Sequence, residues 1–391
     1  MGLDPKLEVI MNVLTLCNDK ICYNSLNYFR LSIENAFRTL GHTVYYASTY
    51  PELIEYSKKC DFYFGFNCLL NVETDGVNTF DLLGIPIVDF LVDNPYMHHI
   101  QLTHPRNEAL YVVCLDENHK ILLDEYYPMV KASVTGYVLT ETDKNLENIT
   151  KERDVLFLAT YTNEVEMLEK LQYRQPWLKK VALDSVEFLL SNPATTVEDA
   201  IAISLGESKE SLEDSDYCNI LYAIGNNIDF FLRGYFRHLL AETITAGGIK
   251  LHVSGNGWEK LKCTHPENLI INPPCDFSKS PYMLASSKIV LNVNPWFKRG
   301  LHDRIISTML NKSISVTDSN PVIDRLFKDG EDILTYSLDN MQLAVDKIKT
   351  VLSDESLTEK ISENAYEKAK KLFSWEDVAK KIIDMIEENE V

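Results

Sequence analysis

The sequence predicts an α/β protein made of two parallel-sheet domains in tandem with a cleft between them, and three observations predict it. Through the first half of the chain, short apolar runs alternate with amphipathic ones. That alternation builds a parallel sheet covered by helices on both faces. A second series of apolar strands starts beyond the polar stretch 140–151. Finally, 391 residues with 45% hydrophobic and 25% charged side chains suffice for two cores of ordinary soluble composition.

Taken in order, residues 8–16 read as a strand and 26–40 as a helix that Gly41 stops. Strand 44–47, a helix over 51–59 opened by Pro51, and strand 61–66 follow. A short helix over 77–83 ends at Gly84, and 86–91 and 110–115 are buried strands. Stretch 131–139 closes the first domain, and 140–151 is polar enough to be a linker. Residues 154–158 begin the second sheet, and 163–205 read as a long helical stretch. The acidic tract 207–216 reads as a solvated loop. A strong helix over 229–246 stops at Gly247 and Gly248, and strands 250–253 and 269–272 follow. Residues 287–319 then read as strand, loop, helix and strand, and Asn320 and Pro321 as the cap and first turn of a further helix. The tail is helical, with Trp375 near the start of the last helix. The expected domains are 1–150 and 151–372, the second with a helical insertion at about 163–216. Residues 373–391 form a final helix.

A formal net charge of -20 argues against nonspecific nucleic-acid binding, which needs clustered Lys and Arg. It also disfavours rest on anionic lipid. Asp4, Lys6 and Glu8 interrupt any secretory signal, and Lys6 stands where a myristoylation signal needs Ser or Thr. No apolar run approaches the length of a membrane span, so no integral membrane segment is expected. The eight cysteines contain no C-x-x-C pair. That spacing suggests reduced thiols in a cytoplasm, and Cys17 with Cys22 lacks the second pair a tetrahedral metal site needs. Monomer and homo-oligomer both stay open.

The most informative stretch is 287–319. Its first strand runs into Asn292 and Asn294, its loop carries Trp296, Lys298, Arg299 and Gly300, and its helix opens on His302, Asp303 and Arg304. Polar and basic groups thus gather at a strand carboxyl end and a helix amino end, where backbone N–H groups and the helix dipole favour anions. A nucleotide diphosphate is the class of ligand this suits. Arg304 offers a planar bidentate partner for phosphate oxygens, or a surface ion pair with Asp303 or Asp318. Asp318 faces the same crevice if the sheet is parallel, and also suits a cap for the next helix. Gly255, Asn256 and Gly257 follow a strand directly, which suits close backbone approach to a phosphate or an ordinary β-α turn. In the first domain Asp93, His98 and His99 stand just past a strand end. One of them could serve as general base on an acceptor hydroxyl, or Asp93 and Asn94 could simply form the turn before Pro95.

Several pieces resemble glycosyltransferases of the GT-B type, in particular the group similar to the spore maturation protein CgeB. They are GHTV from Gly41, VDFLVDNPYMHH from Val88, RDVLFLAT from Arg153, LHVSGNGWE from Leu251, YMLASSKIVLNVNP from Tyr282, GLHDRIISTMLNKSISVTDS from Gly300 and FSWEDVAKKI from Phe373. The resemblance implies two Rossmann-like domains facing a cleft, a nucleotide-sugar donor held mainly by the second, and a final helix crossing back to the first. It implies catalysis without a bound metal, the leaving diphosphate being neutralised by helix termini and basic side chains. The donor-site residues it carries over are Gly255, Asn256, Asn292, Asn294, His302 and Arg304, with Asp318 as a weaker addition. Where relatives carry a glutamate and then a glycine after the arginine, this chain is expected to place Ser307 and Asn311. Ser307 keeps one hydrogen bond for donor hydroxyls, and Asn311 tolerates the left-handed backbone that glycine would supply.

The reading that follows is a cytoplasmic glycosyltransferase moving a sugar from a nucleotide donor to a hydroxyl of a cell-surface, spore-associated or protein acceptor. A nucleotide-sugar epimerase on the same fold would recruit acids such as Glu73 and Asp75. An inactive transferase-like subunit that binds a partner or glycan is the third reading, and Ser307 at the usual glutamate position is what sustains it.

Overall fold

A computed structural model describes residues 10–16, 21–70, 73–74, 76–134 and 137–388. The starts of the expected first strand and of the loop after it, Cys17, Asp75 and the last three residues lie outside the described residues.

Two six-stranded sheets, parallel throughout, organise the chain. The first contains β1 (Asn12–Leu16), β2 (Thr43–Ala47), β3 (Phe62–Phe66), β4 (Ile87–Leu91), β5 (Leu110–Cys114) and β6 (Val130–Val134) in the order β2-β1-β3-β4-β5-β6. The second contains β7 (Arg153–Leu158), β8 (Leu251–Ser254), β9 (Leu269–Asn272), β10 (Ser287–Leu291), β11 (Ile314–Asp318) and β12 (Leu334–Tyr336) in the order β9-β8-β7-β10-β11-β12. β3, β4 and β5 are buried at every position, as strands covered on both faces must be. These are two Rossmann-like domains. In each, the strand order reverses beside the strand that opens the sheet, and ligands of such sheets bind at that crevice.

Five helices set the site. They are α1 (Ser25–Thr39), α2 (Glu117–Tyr126), α3 (Asn226–Ala246), α4 (Asp303–Leu310) and α5 (Trp375–Glu387). Between β7 and α3 the chain makes helices Glu164–Leu171, Pro176–Ser191, Val197–Leu205 and Asp214–Ile220. The acidic tract expected as a loop is therefore largely helical, with a 3-10 turn at Gly206–Ser211 ahead of the last of these. It is anchored by Tyr217 and Cys218, which are buried. Helix α2 had no counterpart among the expected elements, and Asp116 caps it by accepting from the Asn118 N–H at 2.7 Å. Asn320 does cap the helix Pro321–Leu326, accepting from Val322 and Ile323 N–H groups at 3.0 Å.

Helix α5 packs against α1, with the Trp375 and Phe29 rings 5.9 Å apart. One apolar cluster therefore runs from Val13, Phe64 and Tyr111 of the first sheet through Trp296, Ile305 and Phe373 to Trp375 and Ile382. Polar ties cross the same boundary. Asp116 accepts from the Arg299 N–H at 2.7 Å, and the Arg299 carbonyl accepts from the Glu117 N–H at 3.1 Å.

Candidate active site

The carboxyl ends of the two sheets enclose a cavity of about 350 Å³, in the size range of small-molecule sites. The first domain contributes Cys22, Tyr23 and Ser25 from the turn after β1, and Thr140. From the second come Leu158–Thr162 in part, Ser254 and Gly255, Cys275, Asp276 and Phe277, and His302, Asp303, Arg304 and Ser307 of the α4 start. Helix α3 adds Phe230, Arg233 and Arg237, which share one face at helical spacing. Gly234 lies between the two arginines, and a Cβ there would fall 2.1 Å from the Thr162 carbonyl oxygen. The helix backbone therefore presses directly on the β7 loop, which delivers both guanidiniums to the cavity.

Charge in the cavity is unbalanced. Burial works against the charge of Arg233, but Asp229 at 2.7 Å and Asp93 at 3.4 Å outweigh it and hold its pKa above the usual value. Its guanidinium also lies 4.1 Å above the Trp296 ring. Arg237 has weaker support: burial first, then the neighbouring Arg304 and Arg233, push its pKa well below the arginine range, and Asp229 opposes them without prevailing. Burial also lowers Arg304, with Asp303 and Tyr336 opposing. Among the described residues neither Arg237 nor Arg304 makes an ion pair. Arg237 donates to the Thr160 carbonyl and Arg304 to Asn292 Oδ1 at 2.6 Å, both neutral acceptors. A buried cation without an ion-pair partner is costly, so the surroundings of Arg237 suit an anion. His302 sits beside them as the α4 cap: its Nδ1 accepts from the Arg304 N–H at 3.1 Å, with Asp303 Oδ1 2.7 Å from the same nitrogen. Burial lowers the His302 pKa against Asp303: a neutral Nδ1 caps the Arg304 N–H, and a protonated one donates to Asp303 instead.

Solved structures of the same architecture match along nearly the whole chain. The Anabaena protein HepE in complex with UDP-glucose is 12% identical, with a TM-score of 0.55, covering 97% of this chain and 100% of that one. Sucrose-phosphate synthase from Thermosynechococcus elongatus is 8% identical at a TM-score of 0.51, covering 97% and 98%. AviGT4, a glycosyltransferase involved in avilamycin A biosynthesis, is 10% identical at 0.53, covering 96% of each chain. The chain has the GT-B glycosyltransferase fold. Residues 233–384 also match the family model described as glycosyl transferase-like, a match that starts at Arg233. No curated protein matches the sequence.

Within this GT-B frame, Gly255, His302, Arg304 and Ser307 line the cavity together. The Asn256 N–H points at the Tyr23 hydroxyl, 2.7 Å away. Asn292 stands behind Arg304, orienting it while donating to Thr317 Oγ1 at 2.9 Å. Asn294 and Asp318 are elsewhere. The Asn294 N–H donates to Asp318 Oδ1 at 2.7 Å, and Asp318 lines a second cavity with Lys298 and Arg299. For Asp318 the reason is strand order, since β11 lies two strands from β7, and Asn294 is turned to it by its own N–H. Burial raises Asp318 to about 6 and lowers Lys298 to about 8. Ser307 Oγ accepts from the Thr140 N–H at 2.8 Å, tying the cavity floor to the first domain.

The first-domain candidates fall outside the cavity lining. Asp93 stands at its edge, held by Arg233 and by Asn67 Nδ2 at 3.3 Å. A 3-10 turn at Pro95–His98 carries His98 and leads into His99, and neither lines the cavity. His98 Nε2 is buried, and burial lowers the His98 pKa. His99 Nδ1 meets the Tyr127 hydroxyl at 3.1 Å, and its ring packs 5.9 Å from that of Tyr222. The left-handed residue expected at Asn311 is in fact Lys312, at φ 50°. Asn311 has φ -107° because its side chain is engaged, donating to the Ser307 carbonyl at 2.8 Å and accepting from the Asp143 N–H at 2.8 Å. The glycines at 255 and 257 serve packing: a Cβ at either would fall 2.2 Å or less from a carbonyl oxygen of Ala159 or Tyr161.

Sequence reasoning missed Arg233, Arg237 and the reach of Tyr23. Two arginines four residues apart, with Asp229 one turn before them, were the signal for the first two. Nothing local announces where Tyr23 points, because its partners are Thr160 and Asn256.

Proposed function

We propose that the protein is a glycosyltransferase taking its sugar from a nucleoside diphosphate donor bound in the 350 Å³ cavity. One observation carries the reading: Arg237 and Arg304 converge on that cavity with neutral partners only, so a diphosphate completes their charge balance. The glycosyl transferase-like model matched by this half of the chain, and the UDP-glucose complex of the similarly folded HepE, support it. On this reading the anion lies between α3 and the α4 start. The base then extends toward Cys275, Phe277 and Leu284, where the lining turns apolar, and the sugar toward Ser307 and Thr140. Guanidiniums and the α4 amino end stabilise the leaving diphosphate without a metal.

The acceptor, a hydroxyl of a cell-surface, spore-associated or protein acceptor molecule, approaches along the first domain. Asp93 remains our candidate for its base, with His98 and His99 behind it. The CgeB-like pieces of the sequence make that group our assignment within the fold. The seven described cysteines are free thiols, which suits the cytoplasm we propose.

The test is thermal shift against a panel of nucleotides and sugar nucleotides, since a ligand bound only to the native state raises apparent stability. Stabilisation by one diphosphate family, lost in Arg304→Ala without loss of fold, is the expected result. Silence across the panel would point to a transferase-like binding subunit instead.

A further inference from the structure

We propose that the Tyr23 hydroxyl is a hydrogen-bond donor to the leaving diphosphate, delivered across the cleft by the turn after β1. The proposal rests on the donor reading above and deepens it to a residue of the opposite domain.

Tyr23 belongs to the first domain, yet its hydroxyl partners belong to the second. Its oxygen is 2.7 Å from Thr160 Oγ1 and 2.7 Å from the Asn256 nitrogen. Direction can be assigned at one of these contacts. A backbone N–H only donates, so the Tyr23 oxygen accepts from Asn256. The phenol proton is then left for Thr160 Oγ1 or for a ligand oxygen, and Thr160 can turn its own hydroxyl to suit. A hydroxyl that accepts an N–H bond is polarised into a better donor.

The same point is where the cationic end of the cavity lies. Arg237 donates to the carbonyl of Thr160, so guanidinium and phenol meet at one residue, and both line the cavity. An anion satisfying Arg237 is therefore beside the Tyr23 proton. The backbone is shaped for this reach. Cys22, Tyr23 and Asn24 have φ of 49°, 59° and 72°, three successive left-handed residues with no glycine among them. Such conformations persist only when the surroundings impose them, and they cluster at functional sites. Here Asn24 N–H donates to the Ile21 carbonyl at 2.9 Å, and Asn27 Nδ2 to Asn24 Oδ1 at 2.7 Å, holding the turn from below.

In the reaction the electron pair of the anomeric C–O bond passes to the departing phosphate oxygen. The nucleophile oxygen bonds the anomeric carbon and its proton passes to solvent or a carboxylate. Tyr23 transfers no proton: it shortens its hydrogen bond as that phosphate oxygen gains charge.

Hydrolysis of the sugar nucleotide selected by the panel, UDP-glucose being the first tried, tests this without knowledge of the acceptor. Tyr23→Phe keeps the ring and removes the hydroxyl. It is expected to lower kcat for hydrolysis at least tenfold, with KM changed less than threefold and uridine binding unchanged. Thr160→Val removes the latch partner but leaves the phenol, and is expected to lower kcat less than threefold. A Tyr23→Phe enzyme within twofold of wild type overturns the proposal. So do equal losses in the two variants, which would make Tyr23 a structural latch. A wild type that binds no diphosphate removes the donor reading itself, a separate outcome read before any variant is compared.

Discussion

Arg237 is the side chain whose energetics depend most on a ligand. It is buried, near two other guanidiniums, and bonded to a carbonyl rather than a carboxylate. Replacing it with methionine removes like-charge repulsion from the free protein and a charged hydrogen bond from the complex. The expected result is an unliganded melting temperature equal to or above wild type, with diphosphate affinity about a hundredfold weaker, since hydrogen bonds to charged groups contribute roughly 1.5–3 kcal/mol. Calorimetric unfolding and titration read both quantities, and a variant that melts lower yet binds normally would remove Arg237 from the site. Asp89 shows the same cost in a place with no ligand. It is fully buried in β4, accepts from the Cys68 N–H at 2.7 Å, and burial raises its pKa to about 7. A carboxyl whose folded pKa is raised contributes most below its unfolded value near 4, and that contribution is lost as pH rises through about 7. Asp89→Asn keeps the accepting oxygen without the charge. It should therefore be more stable than wild type at pH 8, by up to about 4 kcal/mol, with the gap closing toward pH 4. Urea titrations across that range check it, and a gap independent of pH would show that Asp89 does not titrate there.

Among the elements, α3 links packing to chemistry. Alanine is ordinarily the better helix former by about 1 kcal/mol. At Gly234, however, the added methyl would meet the Thr162 carbonyl oxygen at 2.1 Å, and backbone cannot swing aside as a side chain can. Gly234→Ala is therefore expected to lift α3 off the β7 loop and carry Arg233 and Arg237 out of register. Diphosphate affinity should fall at least tenfold while the helix content read by circular dichroism is kept. Unchanged affinity would mean the loop yields instead. The same element shows what a sequence can and cannot reveal. Its apolar face and its stop at Gly247 and Gly248 are local patterns, so the helix was legible, as were most of the strands, whose buried runs need no partner to be recognised; the three-residue β12 had no expected counterpart. Its polar face became meaningful only once the cavity was in view. Helix α2 was missed because His119, Leu122 and Leu123 are its only buried positions, too few to set a period. The start of α4 was legible as a polar cluster because a strand end and a helix cap adjoin there in sequence. Asp318 was misplaced relative to it because strand order, not chain order, sets what shares a crevice.

At the scale of the whole molecule, the two domains are not independent bodies joined by a linker. Residues 137–139 pack in the same cluster as α5, and the Tyr137 hydroxyl meets the Ser374 carbonyl at 3.3 Å across 237 positions of sequence. No local pattern can forecast a pair so far apart, which is why the sequence announced the final helix and not the residues it touches. Domains in one chain move freely unless the interface between them is large and apolar, and this one is continuous with a core. The protein should therefore unfold in a single calorimetric transition, and a diphosphate that stabilises the second domain should raise that whole transition. Trp375 is the place to break the coupling. It is buried against Phe29, and truncating a buried tryptophan costs roughly 3–5 kcal/mol. In Trp375→Ala the loss falls on the contact between α5 and α1 rather than within either sheet. The single transition should separate into two, with the diphosphate raising only the one that contains α3 and α4. Two transitions already present in the wild type would show that the shared cluster does not couple the domains. A variant that melts lower but still as one unit would place the coupling in the Asp116–Gly300 bridge and the ties at Thr140 and Ser307.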